Sequence, residues 1–171
     1  MELYPNIPSE GVPYGEFGNS TFPQRGTQWR RVASIAGDVI MIAPCRVFSR
    51  MSAFAARQPV YRYRVNLTLP STPAMLGATH NIELPYVWNS PTLQLNATYS
   101  TTVNFVSRAW ISFISDLDPN NHGLEGLPYW NTYSIGPSGE NFVIALNNFS
   151  TEPDTYRLDE INFINSAILE E

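Results

Sequence analysis

Within Val60-Tyr-Arg-Tyr-Arg-Val-Asn-Leu67, apolar and polar residues alternate, and the Val, Tyr and Leu side chains suit a pleated surface. This is the clearest strand in the 171 residues. Only one other segment, Phe142-Val-Ile-Ala-Leu146, reads as a strand, a short apolar run suited to burial. Two strands are too few for an independent sheet with a protected edge. The order helix, helix, strand, helix, strand, helix points to the α/β class.

The helices are read from spacing. From Thr27, the residues Trp29, Val32, Ala33 and Ala36 recur at helical intervals, with Gly37 as a stop. Asp38 is placed to cap a second helix through Ile42, Val47 and Met51, which Pro44 should kink unless it lies in the first turn. Ser100 to Leu117 carries a broad apolar face of Val103, Phe105, Val106, Ala109, Trp110, Phe113 and Ile114. Asp118-Pro closes it. Thr155 to Leu169 returns to helical spacing through Leu158, Ile161 and Ile164. The first 26 residues, rich in Pro and Gly, predict an irregular lead-in, and no internal repeat is present.

Composition excludes several classes of function. Nine Tyr, nine Phe and four Trp against only 15% charged residues describe a compact chain, which at this length suffices for one domain. A formal charge of -5 without any basic block offers no footprint for nucleic acid. The longest apolar run, Val39 to Pro44, is far short of the roughly 18 residues of a membrane span, so no transmembrane segment is expected. The N-terminus lacks the basic and apolar regions of a signal peptide, yet four N-x-[S/T] sequons occur, at Asn19, Asn66, Asn96 and Asn148. Sequons without a signal suggest a secretory history and a lost front end.

Three residue types carry potential chemistry. His80 follows the first strand, where open α/β sheets place ligands and catalytic groups, although most histidines in such places are satisfied structural groups. His122, between Asn121 and Gly123, reads as a solvent-exposed turn residue, and no clustered carboxylates join the two histidines into a metal site. Cys45 is the only cysteine, which excludes an internal disulfide, and it reads as a small buried residue. Arg46 and Asp38 are either helix-surface charges or a pair inside the fold.

The run Gly77-Ala-Thr-His80-Asn-Ile-Glu-Leu-Pro-Tyr-Val-Trp88 resembles the histidine loop of type B carboxylesterases and lipases, in which G-x-x-H-x-x-[ED]-[LI]-x-[YF]-V-[FW] recurs. The resemblance covers nearly the whole chain: Leu3-Tyr-Pro, Gly11-Val-Pro-Tyr, Gly37-Asp38, Ala43-Pro-Cys-Arg46, Val60-Tyr-Arg-Tyr, Ser115-Asp-Leu-Asp-Pro-Asn120 and Leu127-Pro-Tyr-Trp-Asn-Thr-Tyr133 follow in order. It is with the last third of fungal members of that α/β-hydrolase family. The resemblance implies a partial domain over residues 1–171, the C-terminal part of the α/β-hydrolase fold with helices packed on the last strands of its sheet. It implies that His80 acts as general base and then general acid of a Ser-Glu-His triad. It also implies that Cys45 lies where relatives have a bridged cysteine, for which Arg157 to Ile164 offers no partner.

In this family the histidine comes last of the triad, so the serine elbow, the acid and the oxyanion hole are expected upstream. No G-x-S-x-G occurs in the sequence. Glu83, three residues after His80, reads as a structural ion-pair or capping residue near the site, because the family draws its acid from an earlier loop. Asn81 stands where relatives often have Gly. No cofactor and no metal are implied. The expected partners are an ester or lipid substrate for the complete enzyme and the missing N-terminal portion. The complete enzyme is expected outside the cell, while no location follows for this chain. The alternative is a non-catalytic interaction module derived from a hydrolase.

Overall fold

The computed structural model describes residues 3–5, 25–26, 28–55, 58–73, 76–135 and 139–169, with the side chains of 168 and 169 left aside. Most of the expected irregular lead-in, Asn19 included, lies outside the described residues. Six α-helices are described: α1 (Trp29–Gly37), α2 (Ala43–Ala55), α3 (Leu84–Val87), α4 (Pro91–Gln94), α5 (Ser100–Asp116) and α6 (Leu158–Leu169). Three strands, β1 (Tyr63–Asn66), β2 (Glu140–Ala145) and β3 (Asn148–Pro153), form one mixed sheet in that order. β1 runs parallel to β2 in the register Tyr63↔Phe142, and β2 pairs antiparallel with β3.

That register puts Tyr63 and Phe142 in one row and Val65, Ile144 and Phe149 in the next, all on one face of the sheet. The face packs on α5 through Phe105, whose ring lies 5.7 Å from Phe142 and 4.4 Å from Phe149. Trp130 stacks on Phe142 at 4.7 Å and meets Tyr61, Tyr63 and Trp110 edge-on or tilted, closing the core from the side. Leu67, Tyr86, Val103, Val106 and Ala109 complete it. The opposite face is mixed, with Arg64, Val143 and Ser150 in one row. There Arg64 grips Glu152 with two hydrogen bonds of 2.6 and 2.9 Å across the sheet.

β3 carries no strand signal in its sequence, because Asn148-Phe-Ser-Thr-Glu-Pro153 has neither apolar continuity nor alternation. It forms because Leu146 and Asn147 turn the chain in two residues. Asn147 adopts φ 53°, tolerated by Asn, and its amide donates to Thr102 Oγ1 at 2.8 Å. The helix expected over Ser100–Leu117 is present, and Leu117 ends it at φ 58°. Its apolar face is narrower than expected. Ile114 is 76% exposed and Phe113 also faces outward, because the inward stripe is Thr102, Val103, Phe105, Val106 and Ala109.

Gly37 does not stop α1, and Asp38 does not cap a second helix. Residues Asp38–Ile42 form a π-helical turn that joins α1 to α2 without a break. Pro44 explains the turn. Proline has no N–H and its ring collides with the carbonyl four residues back, and a π-turn, here with the Ala43 amide bonded to the Asp38 carbonyl, relieves that collision. The joined helix Trp29–Ala55, 27 residues with a mean hydropathy of 1.5 in its most apolar 18-residue window, is long and apolar enough by length and composition to cross a membrane. The expectation of no such segment, which counted only consecutive apolar residues, is corrected to that extent.

Charges nevertheless tie this helix to the rest of the fold. Asp38 accepts from Arg157 Nη1 at 3.0 Å and from the Tyr4 hydroxyl at 2.8 Å, and burial together with Asp38 pushes the Tyr4 phenol well above its ordinary pKa. Arg46, fully buried, holds Asp154 through two bonds of 3.0 and 2.8 Å. Arg46 and Asp38 are therefore both buried and paired, but not with each other. Arg62 and the Tyr133 hydroxyl also bond Asp154, and the Asp154 amide donates to the Gly139 carbonyl at 2.6 Å.

A Cβ placed on Gly139 falls deep inside the contact distance of the Tyr133 ring. Gly139→Ala is therefore expected to displace Tyr133 from Asp154 and to cost about 1–3 kcal/mol, as overpacking of a filled site does. Urea unfolding at constant m reads this loss. An unchanged midpoint would mean that the ring moves aside freely.

Candidate functional site

His80 lies on the long excursion between β1 and α3. The excursion is held at its base by two buried anchors, Leu67 before it and Ile82 within its last turn. The Tyr86 side chain, fully buried, reaches back from α3 to donate its hydroxyl to the Thr68 carbonyl at 2.7 Å. Burial, and then Tyr99, push that phenol up to about 12, so it remains a donor at any ordinary pH. Between the anchors, Gly77 is buried at φ 59°, and the Ile82 amide closes a turn onto the Thr79 carbonyl at 3.1 Å.

This frame leaves His80 exposed at the crest of the turn. Among the described residues its imidazole makes no hydrogen bond. Asn81 sits at φ 66°, a conformation open to Gly and tolerated by Asn, which accounts physically for Asn in this position of the loop. β1 ends at Asn66, so His80 does not follow the strand directly. Glu83 takes the N-cap position of α3, where its carbonyl accepts the Tyr86 and Val87 amides, each at 2.9 Å. Its side chain makes no capping bond. Burial first, then Glu83 and Cys45, raise the Tyr63 phenol above its ordinary value.

Cys45 is free and exposed rather than buried. The inward positions of α2 are Ala43 and Arg46, and Cys45, two residues past the first, turns to the opposite side. His122 is half-buried rather than solvent-exposed. Its Nδ1 accepts the Leu124 amide at 3.0 Å, and its ring meets Phe105 edge-on at 5.3 Å. Burial, assisted by Arg108, holds it below the ordinary histidine range, in keeping with a neutral ring. Among the described residues, no three His, Cys, Asp or Glu side chains gather to hold a metal. Of the sequons, Asn96 and Asn148 are exposed, and Asn66 is half-buried as the last residue of β1.

The Asp154 cluster went unread in the sequence. An arginine inside the apolar stretch Ala43–Phe48 signals a buried partner, but the partner lies 108 positions away.

A small mixed sheet with its helices, carrying a histidine loop beyond a strand, is part of an α/β-hydrolase fold. The chain superposes on the esterase EstA of Aspergillus niger with a TM-score of 0.78 at 21% identity, over 98% of this chain and 31% of that one. Residues 18–164 match the carboxylesterase family, and the chain belongs to it. It is 26% identical to Secreted lipase 1 of Botryotinia fuckeliana over 96% of its own length, and 27% identical to Lipase 4 of Diutina rugosa over 92%. In each case it spans 26% of the relative, so the chain corresponds to about a quarter of the curated relatives it matches.

Proposed function

We propose that this chain is the C-terminal part of a carboxylic-ester hydrolase and contributes His80 as the triad histidine. The observation that carries the reading is the exposed, unbonded imidazole of His80 on a turn fixed from behind by Leu67, Ile82 and Tyr86. A ring held this way, with both nitrogens free, suits transfer of a proton from a serine hydroxyl to the departing alcohol. The serine, the acid that orients the imidazole and the oxyanion donors come from the upstream part of the domain. The chain alone is inert in this reading.

Adding a serine-bearing upstream portion to the chain is expected to produce turnover of p-nitrophenyl esters. His80→Ala in the same mixture is expected to lower the rate by roughly 10⁴–10⁶-fold. Turnover that survives this substitution would remove His80 from the mechanism.

The complete protein is extracellular in this reading, with Asn96 and Asn148 as exposed glycan acceptors. Expressed in a secretory eukaryotic host, the chain should lose mass on treatment with peptide N-glycosidase, and the loss should shrink in a variant with both asparagines changed to Gln and vanish when Asn19 and Asn66 are changed as well. No mass change in the parent chain would exclude this modification.

A second reading, a non-catalytic interaction module, is favoured by the outward apolar side chains of α1 and α2. Under it, His80→Ala alters neither turnover nor binding.

A further inference from the structure

The segment Asn121–Tyr129 has no regular structure and is closed at its neck by one side chain. Asn120 donates from Nδ2 to the Trp130 carbonyl at 3.0 Å and accepts the Trp130 amide on Oδ1 at 2.7 Å, which clamps the two ends of the loop together. Among the described residues, no backbone-to-backbone hydrogen bond is made within Asn121–Tyr129. The body of the loop is held instead by His122. Its Nδ1 accepts the Leu124 amide at 3.0 Å, its ring stands edge-on to Phe105 at 5.3 Å, and its carbonyl accepts from Arg108 Nη1 at 3.4 Å. Leu124 and Leu127, further along the loop, pack partly buried against the core.

This tie exists in one protonation state. A neutral imidazole with its proton on Nε2 offers Nδ1 as an acceptor, whereas an imidazolium carries hydrogen on both nitrogens and would set one N–H against that of Leu124. The surroundings oppose the second proton. From α5, Arg108 brings a positive charge to the same turn, while Asp116 is taken up by Asn121 Nδ2 at 3.3 Å. Ahead of the loop, Asp118 is bound by the Asn120 amide and side chain at 2.9 and 2.7 Å. Within it, Glu125 is exposed. Toward the sheet, Phe105 is backed by Phe142 and Phe149, which carry no charge. Among the described residues no carboxylate bonds the His122 ring.

We propose that Asn121–Tyr129 is an acid-released flap: a proton taken from solvent onto His122 Nδ1 breaks the bond to Leu124, and the loop moves away on the Asn120–Trp130 clamp, uncovering the apolar surface beneath Leu124 and Leu127. The proposal goes beyond the ester-hydrolase reading and does not depend on it. Its direction in pH follows from the burial of the ring and from Arg108, which hold the folded group below the ordinary value of 6.5. The closed flap is therefore fully favoured above 6.5, and its advantage is lost as pH falls below that value toward the folded one. Carboxylates titrate roughly two units lower, which separates this release from general acid unfolding.

The test uses the intact chain, in which His80 is the only other histidine, so the two rings are told apart by ¹⁵N NMR with a single substitution. The protonation of His122 and the exchange protection factor of the Leu124 amide are followed from about pH 7.5 to about pH 5, on either side of the histidine range. Leu124 protection is expected to fall by about fivefold or more in step with His122 protonation. That of Val106, buried in the middle of α5, is expected to hold within about twofold. His122→Asn places Oδ1 where Nδ1 stands, keeps the acceptor for the Leu124 amide and takes no proton, so Leu124 protection should become flat with pH. His122→Phe keeps a ring against Phe105 without the acceptor and should leave Leu124 unprotected at both ends of the range. A fall in Leu124 protection that is equal in the parent chain and in His122→Asn overturns the proposal, as does protonation of His122 with Leu124 protection unchanged. Parallel loss of Val106 protection assigns the change to global unfolding and overturns it as well.

Discussion

Asp154→Ala is expected to destabilise the fold by about 3–5 kcal/mol, the usual effect of removing one partner from a buried ion pair. Both groups are out of solvent, with Arg46 fully buried and Asp154 1% exposed. Arg46 Nη2 would retain only the Tyr156 carbonyl at 2.8 Å, and its Nη1 is already without a partner among the described residues. Arg62 and Tyr133 lose an acceptor in the same step. Asp154→Asn, which keeps the shape and one acceptor, should lose less. Equilibrium urea unfolding of the three proteins measures the difference, and equal midpoints would show the cluster to be replaceable.

The same cluster sets an acid limit. Burial alone would raise the Asp154 carboxyl, but the bonds from Arg46 and Tyr133 and the charge of Arg62 outweigh it and hold the group below its ordinary range. A carboxyl depressed in the folded state stabilises fully above the unfolded value, here 3.8, and the contribution is lost as pH falls through the folded value. The unfolding midpoint should therefore fall steeply below about pH 4, and the Asp154→Asn variant should show a flatter acid limb.

Trp130→Ala is the second large loss, about 3–5 kcal/mol for a buried Trp. Trp130 is 4% exposed and touches Tyr61, Tyr63, Trp110 and Phe142, which binds α5, β1 and β2 together. Its indole N–H also donates to the Arg62 carbonyl at 3.1 Å, next to the link between β1 and β2. Trp130→Phe should recover part of the loss by keeping the stack on Phe142. A full recovery would assign no weight to the indole bond.

The sequence announced those elements whose pattern is local. Val60 to Leu67 and Phe142 to Leu146 declared their strands by alternation and by apolar continuity, and α5 by its spacing. The α1–α2 helix was legible as helix but not as one piece, because Gly37 and Asp38 mimic a stop and a cap, and a π-turn leaves no mark in propensity. β3 was hidden because its stability comes from pairing with β2 and from the Asn147 turn, not from its own residues. The loop around His80 was legible as a pattern, and the structure leaves that histidine exposed on a turn. The turn that presents it depends on Ile82, Tyr86 and Thr68, and a hydroxyl-to-carbonyl bond spanning 18 residues has no signature in sequence. Asp154, meeting Arg46 and Arg62 from the far end of the chain, was the least legible of all.

The parallel pairing of Tyr63 with Phe142 has a consequence in time. The two residues lie on the order of 80 positions apart, and a ribosome adding roughly 5–20 residues per second takes several seconds to pass from one to the other. Throughout that interval β1 exists without β2, while the helices encoded between them have already emerged and can form from local contacts alone. The nascent protein thus carries an alternating, aromatic strand whose β2-facing edge stays bare until Phe142 arrives. That interval is when a chaperone has most to shield, and slow codons placed between α5 and β2 should raise the aggregated fraction.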